Sequence, residues 1–249
     1  EQAVRVKPKV PSLEFVGCMA PIEDPPDSTV IDYDSLQKKG AGSSQAVEEF
    51  EKRRKQLDLE DIASIIYTSG TTGNPKGVVL DQSNFKAQTE VLLSTAVIQR
   101  MLERGLRITS LCHLPLCHIM GRASDYHAQM AMGTTITFAE SIQKVPENLL
   151  EVRPQMVASI PRLYEKVYEF VHVAGSKMKG RQKKVFDWAL KVGDKASDYM
   201  INGEKMPLTV TLQFALAGML VYEKIRKMSG LDRLVVAASG GGALSKEVN

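Results

Sequence analysis

The sequence predicts an α/β fold, a mixed, mainly parallel sheet flanked by helices, on three observations. Short apolar runs such as "IASIIY" (62–67), "TTITFAE" (134–140) and "LVVAAS" (234–239) have the length and composition of strands. Segments with helical apolar spacing stand between them, the order that builds parallel strands joined by crossovers. Glycine-rich loops follow the first and last of these runs, where open α/β sheets take their ligands, at the carboxyl ends of strands.

Composition bounds the rest. With 249 residues and 43% hydrophobic content, the chain can bury a substantial core, as one large α/β domain or two smaller ones. A net charge of +3 is too mild to point to nucleic acid. Three cysteines in a chain of this length point to reduced thiols and a cytoplasmic setting.

Residues 1–60 read as a lead-in segment of short apolar pieces between turns such as "PIEDPPDS". It holds a flexible connector near 38–47, at "KKGAGSS", and then a charged, solvated helix over 48–61. A core region follows over 61–165. It opens with a buried strand at 62–67, a glycine loop, and a helix capped by Asn84 that runs to Gly105. Strand, loop, helix is an order that aims free N–H groups and a helix dipole at an anion.

The loop itself is "YTSGTTGNPKG" (67–77), which gathers four hydroxyls, three glycines and a lysine. Glycine lets backbone N–H groups approach a ligand closely, and the hydroxyls and Lys76 add donors and charge suited to phosphate. A Walker-type loop does not fit, because Pro75 stands where its second glycine belongs and Gly77 where its Ser/Thr belongs. The string instead resembles the phosphate loop of the adenylate-forming superfamily, which includes acyl- and aryl-CoA synthetases, and every fixed position from Tyr67 to Val78 agrees. Just beyond, the chain has "DQSN", which retains Asn84 but has Gln82 where the family often has histidine.

Next, "RITSLCHLPLCHIMGR" (107–122) brings two Cys-His pairs together, Cys112 with His113 and Cys117 with His118. Zinc is one reading of them, but finger spacing is absent, and no metal ligand is assigned. "LPLCH" is similar to a second superfamily motif, whose histidine lies at the edge of the acyl and adenylate pocket, so the resemblance assigns His118 to catalysis and substrate. A satisfied core histidine is the other reading. Arg122, at "HIMGR", resembles the long-chain branch and would guard the mouth of an acyl tunnel, or else lie on the surface.

A strand and a helix starting near Pro161 are expected in "VRPQMVASIPRLYEKVYEFV" (152–171), with Tyr164, Val167, Tyr168 and Val171 at core spacing. Residues 166–230 resemble the helical insertion of long-chain enzymes. Within it, "KMKGRQKK" beside Phe186 and Trp188 reads either as a solvated face or, over 177–188, as a peripheral membrane contact. The uncharged stretch 206–222, interrupted by Pro207 and Gln213, reads as a buried core helix in preference to a membrane-dipping one. Residues 231–249 give a buried strand, a glycine turn and a helix start capped by Ser245; the turn resembles the segment on which the family lays adenine.

The resemblance implies a partial large N-terminal domain of a long-chain fatty acid–CoA ligase, with ATP, Mg2+ and CoA as its cofactors and co-substrates. Thr68, Ser69, Gly70, Thr71, Thr72, Gly73 and Lys76 would hold the departing phosphates, with Thr71 and Lys76 acting in catalysis. Gly240, Gly241, Gly242 and Ala243 would line the adenine. Fatty acid is the expected partner, nucleic acid is not, and the location is cytoplasmic, peripheral at the inner face of a membrane. The family's magnesium glutamate, ribose aspartate and terminal catalytic lysine are expected outside these residues, leaving the chain alone inactive. Other readings are an adenylating enzyme for a different acid or an acyl-carrier acceptor, and a non-catalytic nucleotide- or lipid-binding module.

Overall fold

The structure, a computed structural model, describes residues 2–25, 28–68, 74–245, 247 and 248, without the side chains of Gln2 and Ala3. It divides into two compact units, Glu1–Asp61 and Ile62–Asn249.

The first unit contains α1 (Gln2–Val6), a 3-10 turn (Lys7–Lys9), β1 (Val16–Cys18), β2 (Val30–Asp32), α2 (Tyr33–Ala41) and α3 (Ser44–Gln56). β1 and β2 pair in parallel. The expected connector over 38–47 is mostly helix. α2 runs through Ala41, and the Ser43 hydroxyl accepts from the Ala46 N–H at 3.1 Å to start α3, so the break is confined to Gly42 and Ser43. A side-chain cap at each start, Asp32 for α2 and Ser43 for α3, outweighs the local glycine content. α3 begins earlier than expected but is solvated as expected, with no buried residue and with Glu49–Arg53 and Glu51–Arg54 pairs at 2.8 Å.

The second unit opens with an antiparallel hairpin, β3 (Ile62–Thr68) on β4 (Lys76–Asp81). This corrects the strand–loop–helix expectation. The glycine loop joins two strands of one hairpin, in which Thr68 pairs with Lys76 at the loop end and Asp81 with Ile62 at the opposite end. The N-terminus of α4 (Gln82–Leu93) therefore starts a strand's length from the loop. Its cap is Asp81 rather than Asn84: the Asp81 carboxylate accepts from the Asn84 N–H at 2.9 Å, and the Asn84 side chain accepts from the Asp81 N–H at 3.1 Å. Nor is β3 a buried strand, since only Ser64 and Ile66 are enclosed while Ile62, Ile65 and Tyr67 are exposed.

The expected single helix over 85–105 is two, α4 and α5 (Ala96–Glu103). The Ser94 and Thr95 hydroxyls donate to the Val91 and Leu92 carbonyls at 2.7 and 2.8 Å, competing with the backbone ladder at the break. Gly105, in the left-handed conformation at φ 60°, ends α5 as expected.

Then come β5 (Thr109–Cys112), a π-helical turn (Gly121–His127), α6 (Ala128–Ala131), β6 (Thr135–Phe138), α7 (Val145–Val152), β7 (Met156–Ser159) and α8 (Pro161–Ser176). The chain continues through α9 (Gly180–Ile201), α10 (Leu208–Ala217), a second π turn (Gly218–Tyr222) and α11 (Glu223–Met228) to β8 (Val236–Ser239). The sheet order is β6-β5-β7-β8, all parallel. Alternation along the strands feeds two cores. Met156 packs with Ile98, Met101 and Met132 on one face, and Leu111 and Val157 pack with Val145 and Leu149 on the other. The α/β class with helices on both faces is what the sequence predicts.

In the helical region, Phe186, Ala189 and Val192 of α9 pack against Ala217 and Val221. Phe186 is thus enclosed, 3% exposed, rather than standing on the outer surface of the basic segment. The stretch 206–222 is not a buried core helix: Val210, Ala217 and Val221 form a narrow seam, while Leu208 and Leu212 are 74% and 62% exposed. Helix Leu208–Met228, with mean hydropathy 1.2, is long and apolar enough to cross a membrane by length and composition. After β8 no helix starts at Ser245 among the described residues; the Val248 N–H closes a turn on the Ser245 carbonyl at 3.2 Å.

Candidate functional site

A cavity of about 920 Å³ lies where the chain leaves β3, β5, β7 and β8, at the carboxyl ends of those strands. This is where parallel α/β sheets bind ligands, because successive loops diverge there and leave a crevice. Thr68, His118 and Gly241 line it together, so residues from three separated motifs converge. Its apolar walls include Ile66, Leu114, Ile142 and Leu163, and the α8 cations Lys166 and Arg162 stand on one side, Arg162 also paired with Glu165 at 3.1 Å.

Lys76 is exposed at the start of β4, where its backbone carbonyl accepts from the Thr68 hydroxyl at 3.5 Å, and it is not among the lining residues. Ser69, Gly70, Thr71, Thr72 and Gly73 lie outside the described residues. Gly240, Gly241, Gly242 and Ala243 follow β8. The Gly240 N–H donates to the Ser159 carbonyl at 3.0 Å, and of these four residues only Gly241 reaches the cavity.

His118 sits six residues past β5, exposed, on a turn closed by its N–H to the Pro115 carbonyl at 3.0 Å. Arg122 is neither a surface residue nor a cavity wall. Its Nε donates to the Leu116 carbonyl at 2.8 Å and its Nη1 to the Ser64 hydroxyl, which ties the π turn to β3. The π turn and the 114–118 loop touch closely: a Cβ on Gly121 would stand 2.7 Å from the Pro115 carbonyl oxygen, so only glycine fits. The Cys-His pairs do not converge. Cys112 is buried, its thiol pushed up to about 11 by burial and the nearby Asp125 charge, whereas Cys117 and His118 are exposed. Among the described residues no group of three or more His, Cys, Asp or Glu can hold a metal ion.

Other residues at the site were not assigned to it from the sequence, although His113 and Tyr164 were noted there in a Cys-His pair and at core spacing. His113 lines the cavity with Ser159: its Nε2 is 2.9 Å from the serine hydroxyl and its Nδ1 is 3.2 Å from the Leu111 carbonyl. A carbonyl only accepts, so Nδ1 carries the hydrogen and Nε2 accepts from Ser159. Burial lowers the pKa of this imidazole. Tyr164 donates to the Ala238 and Val157 carbonyls at 2.8 and 3.2 Å, fixing α8 against β7 and β8; burial pushes its hydroxyl up to about 12. Beneath the His113–Leu114 backbone, buried Asp125 is pushed up to about 7 by burial, against the pull of the Leu114 and His113 N–H groups. The signal for Arg162 and Lys166 was their i, i+4 spacing in "PRLYEK", which sets both on one face of α8. Asp125 and Ser159 carried none, because only the fold encloses them.

The comparisons with known proteins agree with this geometry. FadD15 of Mycobacterium tuberculosis, a long-chain-fatty-acid–CoA ligase, is 34% identical over 208 residues, covering 82% of this chain and 32% of that one. ACSBG2 of Gallus gallus, also a long-chain-fatty-acid–CoA ligase, is 33% identical over 187 residues, covering 74% of this chain and 24% of that one. The chain thus spans about a third or less of the curated relatives it matches. In fold it is similar to the adenylation domain of a carboxylate reductase from Mycobacterium chelonae, with a TM-score of 0.53 at 19% identity over 87% of this chain and 30% of that one. Residues 8–249 match the family described as AMP-binding enzyme, and with the motifs converging on one cavity, the chain belongs to that family.

Proposed function

We propose that the protein activates a long-chain fatty acid with ATP and passes the acyl group to CoA. The observation that carries this reading is the composition of the cavity: mostly apolar walls around about 920 Å³, Arg162 and Lys166 for an anion, and Thr68, at the end of β3, among the lining residues. Relatives at 33–34% identity bear the name of that activity, which supports it further.

In this account a carboxylate oxygen attacks the α-phosphorus of ATP, the bond to the bridging oxygen breaks, and pyrophosphate leaves. The CoA sulfur then attacks the acyl carbon, and AMP departs with the electron pair of the carbon–oxygen bond. No nucleophile on the protein is needed; its work is alignment and charge neutralisation. Thr68 and Lys76, at the two ends of the hairpin tip, flank the path of pyrophosphate. His118 stands at the cavity rim and Gly241 offers main chain to the adenine. Magnesium would accompany the nucleotide's phosphates. A peripheral position at the inner, anionic face of a membrane fits the exposed cations Lys177, Lys179, Arg181 and Lys184 and the exposed apolar side chains of α10.

The test is thioester formation by the intact protein with palmitate, butyrate or benzoate, for the wild type and for Ile142→Trp, which fills the apolar wall. The expected result is palmitoyl-CoA from the wild type and a loss of about tenfold or more with palmitate in the variant, with butyrate spared. Benzoate as the preferred acid, or equal losses for both fatty acids, would overturn the long-chain reading.

A further inference from the structure

A second cavity, of about 400 Å³, lies between α8, α9 and the second π turn with α11, and shares no residue with the first. Its floor is Phe186 and Val221, 3% and 8% exposed. Phe186 reaches that depth because α8 has a glycine beneath it: a Cβ on Gly175 would stand 2.1 Å from the Phe186 ring. The lips are Phe170, Leu220 and Met228, between 44% and 57% exposed. One wall is the π turn, a rare geometry often found at functional sites, held to α9 by the Tyr222 O–H donating to the Ala189 carbonyl at 2.6 Å.

The charge at this groove has one sign. Arg181 and Lys224 line it, no acidic residue does, and neither cation has a carboxylate partner among the described residues. The neighbouring Lys183, by contrast, is committed to Asp187. Apolar walls with unpaired cations at the mouth complement a molecule with an apolar body and an anionic head. The volume, near the lower end of ligand sites, suits one hydrocarbon chain rather than a two-tailed lipid.

We propose that this groove is a second binding site, for a single-chain anionic amphiphile, with the chain on Phe186 and Val221 and the head group at Arg181 and Lys224. The inference stands on the groove alone and holds whichever acid the first cavity activates.

The experiment is photolabelling of the intact protein, without vesicles, by a diazirine analogue of palmitate and by the matching uncharged alcohol, with labelled peptides mapped by mass spectrometry. Three forms are compared: wild type, Arg181→Glu/Lys224→Glu, and Ala174→Trp, which fills the groove. The acid should label peptides from 170–186 and 220–228. Reversing both charges should cut that labelling about three- to tenfold, the range for two exposed ion pairs, and Ala174→Trp should abolish it. Should Ala174→Trp melt early by circular dichroism, the charge-reversal variant decides. No label in these peptides, labelling that ignores charge reversal, equal labelling by acid and alcohol, or labelling only after vesicles are added would each overturn the proposal.

Discussion

Two β regions of the same unit, the β3–β4 hairpin and the four-stranded parallel sheet, have similar apolar sequences but different surroundings. β7 is buried at all four positions, whereas β3 is buried at two of seven, with Ile62, Ile65 and Tyr67 exposed. The difference lies in what covers each strand. β7 has β5 and β8 at its sides and packed apolar side chains on both faces; β3 has β4 alone, through which Val78 and Val79 also face outward. An apolar run in the sequence thus reports a strand's capacity for burial, while the neighbours that the fold supplies decide how much of it is used.

The largest effect that would sharpen this contrast is a truncation in the sheet. Leu111→Ala removes a side chain 1% exposed, packed among Val145, Leu149 and Val157. It should lower the opening free energy of the β5 and β7 amides in native-state hydrogen exchange by about 2–5 kcal/mol. A loss under about 1 kcal/mol would mean that the sheet core is not the enclosed region described here.

Asp125 comes next. Its carboxyl ionises at about 7 in the folded protein, above its ordinary 3.8, so the folded state holds the proton more tightly. The resulting cost is absent below about pH 4, builds as the pH rises, and is complete above about pH 7. Asp125→Asn, which mimics the protonated acid, should therefore match the wild type at pH 4 and be more stable at pH 8 by roughly 2–4 kcal/mol. A difference that does not change with pH would contradict the burial of this group. The smallest effect belongs to the hairpin: Ile65→Ala, at a residue 51% exposed, should cost under about 1 kcal/mol by the same exchange measurement. A cost as large as that of Leu111→Ala would break the comparison.

Element existence was well marked in the sequence, because periodicity and apolar content report local geometry. The β6 and β7 runs, the start of α8 at Pro161 and the end of α5 at Gly105 all follow from local signals. What failed was non-local. Antiparallel pairing of "KGVVLD" with β3 had no signal strong enough to override the expectation of a helix after a glycine loop. The cap moved from Asn84 to Asp81 for the same reason, since β4 sets where α4 can begin. At the site, the motifs led to Thr68, His118 and Gly241, which line one cavity. His113 with Ser159 could not be read, because those partners are 46 residues apart and meet only through the parallel register of β5 and β7. Arg122 was placed at a tunnel mouth by position alone, and its hydrogen bonds to Leu116 and Ser64 depend on the π turn.

We propose an acyl-adenylate site at the cavity that Thr68 lines, at the end of β3. Its most direct test is palmitate-dependent exchange of pyrophosphate into ATP by the intact protein and by Lys76→Ala. The account predicts exchange that requires palmitate and falls by about tenfold or more in the variant, as expected when a charge that neutralises a departing phosphate is removed. Absence of exchange in the wild type, or exchange that Lys76→Ala leaves unchanged, would contradict it.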